Sequence, residues 1–381
     1  MISVSSNFDH RLSLDTSLLS TGDGSGSAAG GVFNTQMEEK FGEVEKIFLR
    51  WNMGTSHSLQ WKESPEEAAE YLSAVEKILL LTEDLTLSRN REIMDRAQST
   101  LELAMSMLEE EFRQILIRNR IPFDAGRRYG SINRVSPSVA ALTSFKSSSF
   151  SSVSFASNDG DIGEFEKFES SDEDETSSVQ SYHETDEPSL ENNLSVDLIH
   201  PTAVADLKEL AKRMIRAGYA DMCCQVYITV RRDVLYNCLS ILGIEELSIE
   251  EVLRIEWRDL NGKMEKWIQA VKVVLKDLLS GEKHLCEQIF EGSDLIGEAC
   301  FTETTKGGVI QLLSFGEAVA IRKHSSEELL QILDMYDALA DGLLDLQVLF
   351  PHDSGSFVCR EAKSLLDALG EAAKGITYFE N

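Results

Sequence analysis

From Pro201 onward apolar residues return at every third or fourth position, the spacing that stacks side chains along one face of an α-helix. Val204, Leu207, Leu210, Ala211, Met214 and Ile215 form one such stripe before Gly218, and Val226, Val230, Val234 and Cys238 form another before Gly243. Behind a capping box of Ser248 and Glu251 come Leu260, Met264, Trp267, Val271, Val274 and Leu278, ending at Gly281. Glycine is read as the stop in each case, because it adopts the left-handed backbone that closes a helix. Ser325 with Glu328 opens a helix carrying Leu329, Ile332, Leu333, Tyr336, Leu339 and Leu343, and a last one uses Leu365, Leu366, Leu369, Ala373 and Ile376. Apolar stripes must be buried, and short connections between long helices force antiparallel neighbours. The fold class expected is all-α, an elongated rod of stacked antiparallel helical bundles. No fixed repeat length appears, which argues against TPR, HEAT or armadillo arrays. The Trp267 stripe reads as internal core rather than a coiled-coil seam, since the same face must first bury itself against its own neighbours.

The rest of the chain divides by composition. Residues 1–36 are Ser/Gly-rich around Gly22-Asp23-Gly24-Ser25-Gly26 and read as a disordered leader, with too little apolar surface to offset chain entropy. Residues 37–130 read as a first helical bundle. Phe41, Val44, Ile47 and Phe48 open it, and Trp51 and Trp61 flank a polar loop. Ser64-Pro65-Glu66-Glu67 then starts a helix to about Leu81. A longer stripe, Ile93, Ala97, Leu101, Ala104, Leu108, Phe112 and Ile115, is closed by Pro122. Residues 131–199, Ser-rich and then acidic at Asp172-Glu173-Asp174-Glu175, read as a disordered linker. Residues 200–381 form the second helical region.

Charge narrows the function. With 36 Lys plus Arg against 65 Asp plus Glu the net charge is -29, which repels nucleic-acid phosphates and anionic headgroups unless a basic patch is built locally, so no nucleic-acid partner is expected. No apolar run approaches the roughly 20 residues of a membrane span, and the first dozen residues, with Asp9, His10 and Arg11, do not resemble a secretory signal. A cytoplasmic location is expected. The six cysteines, Cys223, Cys224, Cys238, Cys286, Cys300 and Cys359, lack metal-ligand spacing and read as buried free thiols. Asn193-Leu194-Ser195 is taken as an accidental glycosylation pattern.

Motifs for chemistry do not emerge. GxxxxGK[ST], GxSxG, HExxH, DxDxDG and kinase signatures are missing from the sequence, and the carboxylates spread along helix faces as solvating charge. His284 and His324, near helix ends, read as solvated or capping side chains. The expectation is a chain with no catalytic residues, no metal and no cofactor. Arg127-Arg128-Tyr129-Gly130-Ser131 resembles a basophilic kinase site, and Ser170 and Ser171 precede acids. Phosphorylation within 131–193 is therefore expected, and phosphopeptide mapping is its test.

Particular residues point to a family. Asp206-Leu207-Lys208-Glu209-Leu210-Ala211-Lys212-Arg213-Met214-Ile215-Arg216-Ala217-Gly218-Tyr219 resembles the opening of the conserved region of plant-type Exo-seventy subunits of the exocyst. Gln225-Val226-Tyr227, Leu242-Gly243-Ile244-Glu245, Lys266-Trp267-Ile268-Gln269-Ala270-Val271 and Ile332-Leu333-Asp334-Met335-Tyr336 follow in that family's order, as do Ser64-Pro65-Glu66-Glu67-Ala68-Ala69 and Glu110-Glu111-Phe112-Arg113 earlier. The resemblance implies an exocyst-subunit-like, cullin-repeat-like stack of helical bundles in a complex that tethers secretory vesicles to the plasma membrane. It implies other exocyst subunits, Rho-type GTPases and phosphoinositides as partners, with the protein peripheral at the plasma membrane or vesicles through the complex. Family members begin with a helical assembly segment, where this chain has its Ser/Gly leader. They also run well past Phe379 into bundles carrying the basic lipid-binding surface, so a carboxyl-terminally shortened member lacking that surface is expected. An adaptor that binds a signalling or vesicle partner outside the exocyst is the alternative.

Overall fold

A computed structural model describes residues 27–53, 65–86, 91–126, 128, 198–351 and 353–378. Among these residues the regular structure is helical, as expected for an all-α chain. The helices are α1 (Ser27–Met53), α2 (Pro65–Thr86), α3 (Arg91–Arg118), α4 (Pro201–Arg216), α5 (Ala220–Ile241) and α6 (Ile249–Arg254). They continue as α7 (Trp257–Val273), α8 (Ser280–Ile289), α9 (Asp294–Ile321), α10 (Leu329–Leu349) and α11 (Asp353–Tyr378). The chain forms two compact units, Met1–Gln114 with Lys212–Cys223, and Ile115–Ala211 with Cys224–Asn381. The division thus falls inside α3, α4 and α5 and not at the expected boundaries of 130 and 199. The expected leader also loses its last ten residues to α1, which begins at Ser27. Once Phe41, Val44 and Phe48 are packed, extending a helix upstream adds a hydrogen bond per residue without a new nucleus. Most of the expected linker, together with Trp61, Ser131, Ser170 and Ser171, lies outside the described residues.

In the first unit α1 packs on α2. Pro65 takes the first helical position of α2, where its missing N–H costs nothing, and Glu66 and Glu67 sit in the first turn against the positive end of the helix. Tyr71 anchors the core. Its ring meets Phe48 at 5.2 Å and Trp51 at 5.8 Å edge-to-face, and its hydroxyl donates to the Ala104 carbonyl at 3.0 Å. The α2 helix runs five residues beyond the expected Leu81. Along α3, Ile93, Ala97, Leu101, Ala104, Leu108 and Phe112 are buried as their spacing requires.

The second unit holds the longer stripes. Gly243 here, like Gly218 in the first unit, does end its helix, at φ +81° and +86° respectively. Tyr219 N–H reaches Met214 O, and Ile244 N–H reaches Leu239 O, so both glycines close the six-residue ring that satisfies terminal carbonyls. Gly281 does not. The helix passes from α7 through a π-helical segment, Val274–Leu279, into α8, and Gly281 is buried inside it. The stop comes later, where Gly292 takes φ +81°. The capping box of Ser248 and Glu251 is present, but it opens only the short α6. Ile255 and Glu256 are extended before α7 begins, and Arg322 Nη1 donates to the Ile255 carbonyl at 3.2 Å, securing a group that the break leaves free.

Leu260, Met264, Trp267, Val271, Val274 and Leu278 are all buried, with Trp267 Nε1 donating to Leu312 O at 2.7 Å. The core is close-packed at glycine. A Cβ on Gly316 would lie 2.8 Å from Leu365 Cδ2 and 3.2 Å from Trp267 Cζ2, so the backbone of α9 approaches these side chains as only glycine permits. On α10 the buried set is Ile332, Met335, Ala338, Leu339, Gly342, Leu346 and Leu349. Leu333, expected in the core, is exposed, because the helix is apolar on more than one side. Antiparallel pairing of Arg120 with Ile199, through Ile121 N–H to Leu198 O and His200 N–H to Asn119 O at 3.0 Å each, ties the residues just after α3 to those just before α4 within the second unit.

Candidate functional site

The most unusual chemistry in the second unit is a buried polar cluster between α5 and α8. The helical stripe of α5 runs Tyr227, Arg231, Leu235, Cys238, Leu242, and it puts a guanidinium where an aliphatic side chain would ordinarily sit. Opposite, α8 presents Glu282 and Cys286, one turn apart on the same face. Arg231 Nη2 donates to Glu282 Oε2 at 2.7 Å, and its Nε lies 3.2 Å from both carboxylate oxygens. The Tyr227 hydroxyl donates to Glu282 Oε1 at 2.7 Å and accepts from the Cys286 thiol at 3.2 Å. Arg231 and Glu282 are 2% and 4% exposed, so this is an ion pair in the core.

Burial and electrostatics fix the protonation states. Desolvation opposes the charge on Arg231, but the Glu282 carboxylate outweighs it and holds the guanidinium pKa above its ordinary value. Burial pushes the Tyr227 hydroxyl and the Cys286 thiol well above their usual ranges, with the Glu282 charge adding to both, and it pushes Cys238 up to about 11. The thiols stay protonated, which suits packing and not nucleophilic attack. Arg231 Nη1 meets no protein acceptor and borders a cavity of about 30 Å³ with Cys238 and Glu282, room for one water-sized molecule. What this arrangement can do is fix the register of α5 against α8.

Two larger hollows lie in the same unit. A groove of about 380 Å³ is lined by Ile199, Val204, Lys208, His284 and Leu285. A second, of about 330 Å³, has Lys283, Cys286, Phe290 and Phe301 in its wall. Lys283 donates to the Leu349 carbonyl at 2.9 Å and lies 5.3 Å from the Phe301 ring centre. His284 and Cys286 thus open into different hollows, and neither of these two hollows gathers both an imidazole and a thiol among the described residues. His284 is half exposed beside Glu287 and Gln288, as a solvated side chain should be. His324 departs from expectation. It is 4% exposed and paired through Nδ1 with Glu328 at 2.7 Å, so Glu328 serves that imidazole while Ser325 makes no side-chain cap. The six cysteines are free thiols, five buried and Cys224 half-buried. Among the described residues no three His, Cys, Asp or Glu side chains gather to hold a metal ion.

Sequence reasoning missed Tyr227, Arg231 and Glu282. The signal was available: Arg231 continues the buried 4-residue steps of α5, and a charge on an apolar stripe calls for an opposite charge on the facing helix.

Residues 41–118 match the family model for the amino-terminal region of the exocyst complex component Exo70, and residues 265–378 match the model for the carboxyl-terminal region of the same Exo70 component. The chain belongs to the Exo70 family. It is similar to exocyst complex component EXO70E2 of Arabidopsis thaliana, 30% identical over 84% of this chain and 47% of that protein. EXO70B1 of Arabidopsis thaliana is 28% identical over 82% of this chain and 47% of its own length, and EXO70A1 of the same plant is 28% identical over 98% and 54%. The chain therefore spans about half the length of these relatives. The carboxyl-terminal family region holds Trp267, Glu282 and Gly316, whereas Tyr227 and Arg231 precede it.

Proposed function

We propose that this chain acts as a non-catalytic exocyst subunit that helps tether secretory vesicles to the plasma membrane through protein–protein contacts. The observation that carries the reading is the presence of both Exo70 family regions, in order, on one helical chain. Its buried ionisable groups support it, since Tyr227, Arg231, Glu282 and Cys286 hydrogen-bond to one another and the thiol and phenol are held protonated. Other exocyst subunits are the partners, with Rho-type GTPases as regulatory contacts. Placement at the plasma membrane or at vesicles through the complex is part of the same proposal; among the described residues no helix is long and apolar enough to cross a membrane. Purification of the tagged chain from its own cells tests the proposal. Co-recovery of the other exocyst subunits is expected, and their consistent absence from a soluble, folded bait would overturn it in favour of an adaptor outside the complex.

A further inference from the structure

The α10 helix is apolar on two sides. One side, with Ile332, Met335, Leu339, Leu346 and Leu349, is buried where the helix packs against α7 and α11. On the other, Leu330, Leu333, Asp337, Asp341, Leu344 and Val348 follow in steps of three or four, which keeps them within about 40° of one line along the helix. All six are exposed; Leu330, Leu344 and Val348 are 72%, 70% and 74% accessible. Isolated surface leucines are ordinary, but these are in register, two aliphatic pairs about 16 Å apart with two aspartates between them. Asp334 flanks the same face. Its carboxyl is pushed above the usual range first by burial and then by the charge of Asp337, while Lys272 draws it back.

We propose that this face of α10 docks a cationic amphipathic helix from another polypeptide, with aliphatic side chains at both ends and Lys or Arg in the middle. The charge pattern selects that occupant. A second copy of the chain, laid antiparallel, would match aliphatic pair to aliphatic pair but would set Asp337 and Asp341 against the same carboxylates, a repulsion that grows as water is excluded. An anionic lipid surface would be repelled by the same groups. A helix with two central cations satisfies both features at once, and the net charge of -29 draws such a segment in from a distance. Read by its i, i+3, i+4 anchors, the docking resembles a helix laid along a helical face. The surface belongs to the second unit alone and serves with or without the tethering complex.

The test uses the whole chain and two synthetic helical peptides of about 20 residues, long enough to carry both aliphatic pairs at this spacing. One carries Leu pairs flanking two Lys, the other the same Leu pairs flanking two Glu. By fluorescence anisotropy at low salt the Lys peptide is expected to bind at least about tenfold more tightly than the Glu peptide, with the difference shrinking at high salt. The variant Asp337→Lys/Asp341→Lys should reverse the preference, Asp337→Asn/Asp341→Asn should abolish it, and Leu344→Ser/Val348→Ser should weaken both peptides. All these positions are exposed, so circular dichroism should show the variants folded. Equal binding of the two peptides, binding of neither, or a preference untouched by charge reversal would each overturn the proposal. So would self-association of the unmodified chain that Leu344→Ser/Val348→Ser abolishes, since a second copy would then be the occupant.

Discussion

The ion pairs of the first unit, Arg50 with Glu70, Arg96 with Glu45 and Arg216 with Glu76, join exposed or half-exposed side chains. In the second unit Arg231 and Glu282 are paired inside the core, with Tyr227 and Cys286 completing the hydrogen bonds. Exposed pairs typically contribute about 0–1 kcal/mol and weaken in salt. A buried pair adds little net stability because desolvation offsets the attraction, yet removing one partner strands a charge at a cost of about 3–5 kcal/mol. These three surface pairs of the first unit can therefore be exchanged with little consequence. The second unit has made one helix–helix register depend on a single carboxylate.

The sharpest way to break this contrast is Glu282→Leu, which should lower the stability of the second unit by about 3–5 kcal/mol, while Arg231→Met/Glu282→Leu recovers most of the loss. Urea unfolding followed through Trp267, with hydrogen exchange to follow the two units separately, would show it; a cost for Glu282→Leu no larger than that of a surface change would end the distinction. Next come two glycines. Gly316→Ala should cost about 1–3 kcal/mol, because Leu365 and Trp267 already crowd the position. Gly42→Ala, on α1 of the first unit with nothing within 4 Å of the added methyl, should instead stabilise by up to about 1 kcal/mol. Opposite signs in thermal unfolding are the expected readout. Arg50→Ala should change the first unit by at most about 1 kcal/mol at low salt, with the difference vanishing at high salt.

The smallest effect is a pH dependence at the second unit's surface. The Ser248 amide, then the Ser248 hydroxyl, hold the Glu251 carboxyl below its usual range. A depressed acid stabilises the fold above its unfolded value of about 4.3 and loses that contribution as pH falls through the lower folded value. Glu251→Gln should flatten that acid limb of the stability curve without altering the Arg231 cluster. An unchanged acid limb would remove the capping carboxylate from the account.

Helix existence was legible in the sequence because burial obeys periodicity: the whole Trp267 stripe, from Leu260 to Leu278, is core, and Gly218 and Gly243 close their helices. Where the reading failed, tertiary packing overrode a local rule. Gly281 stops nothing, because its segment is held inside the core. Ser325 does not cap, because Glu328 is engaged by His324. The start of α1 was hidden by glycines that weaken but do not forbid a helix already nucleated at Phe41. The Arg231 cluster was missed because treating a charged residue as surface hides any buried pair, although the four-residue steps through Tyr227, Arg231 and Leu235 were present in the letters.

The π turn at Val274–Leu279 has a consequence for how the long helix tolerates change. One surplus residue there offsets everything downstream by about 100° relative to an uninterrupted α-helix. Deleting any single residue of the turn would let the coil snap back into ordinary gearing. Glu282 and Cys286 would then still face Arg231 and Tyr227, because the deletion removes the surplus residue itself; winding the undeleted sequence as plain α-helix is what would swing them away. Six residues thus absorb one surplus residue between two halves of one helix, and a one-residue deletion elsewhere between Trp267 and Glu282, with the turn retained, would disengage the far end.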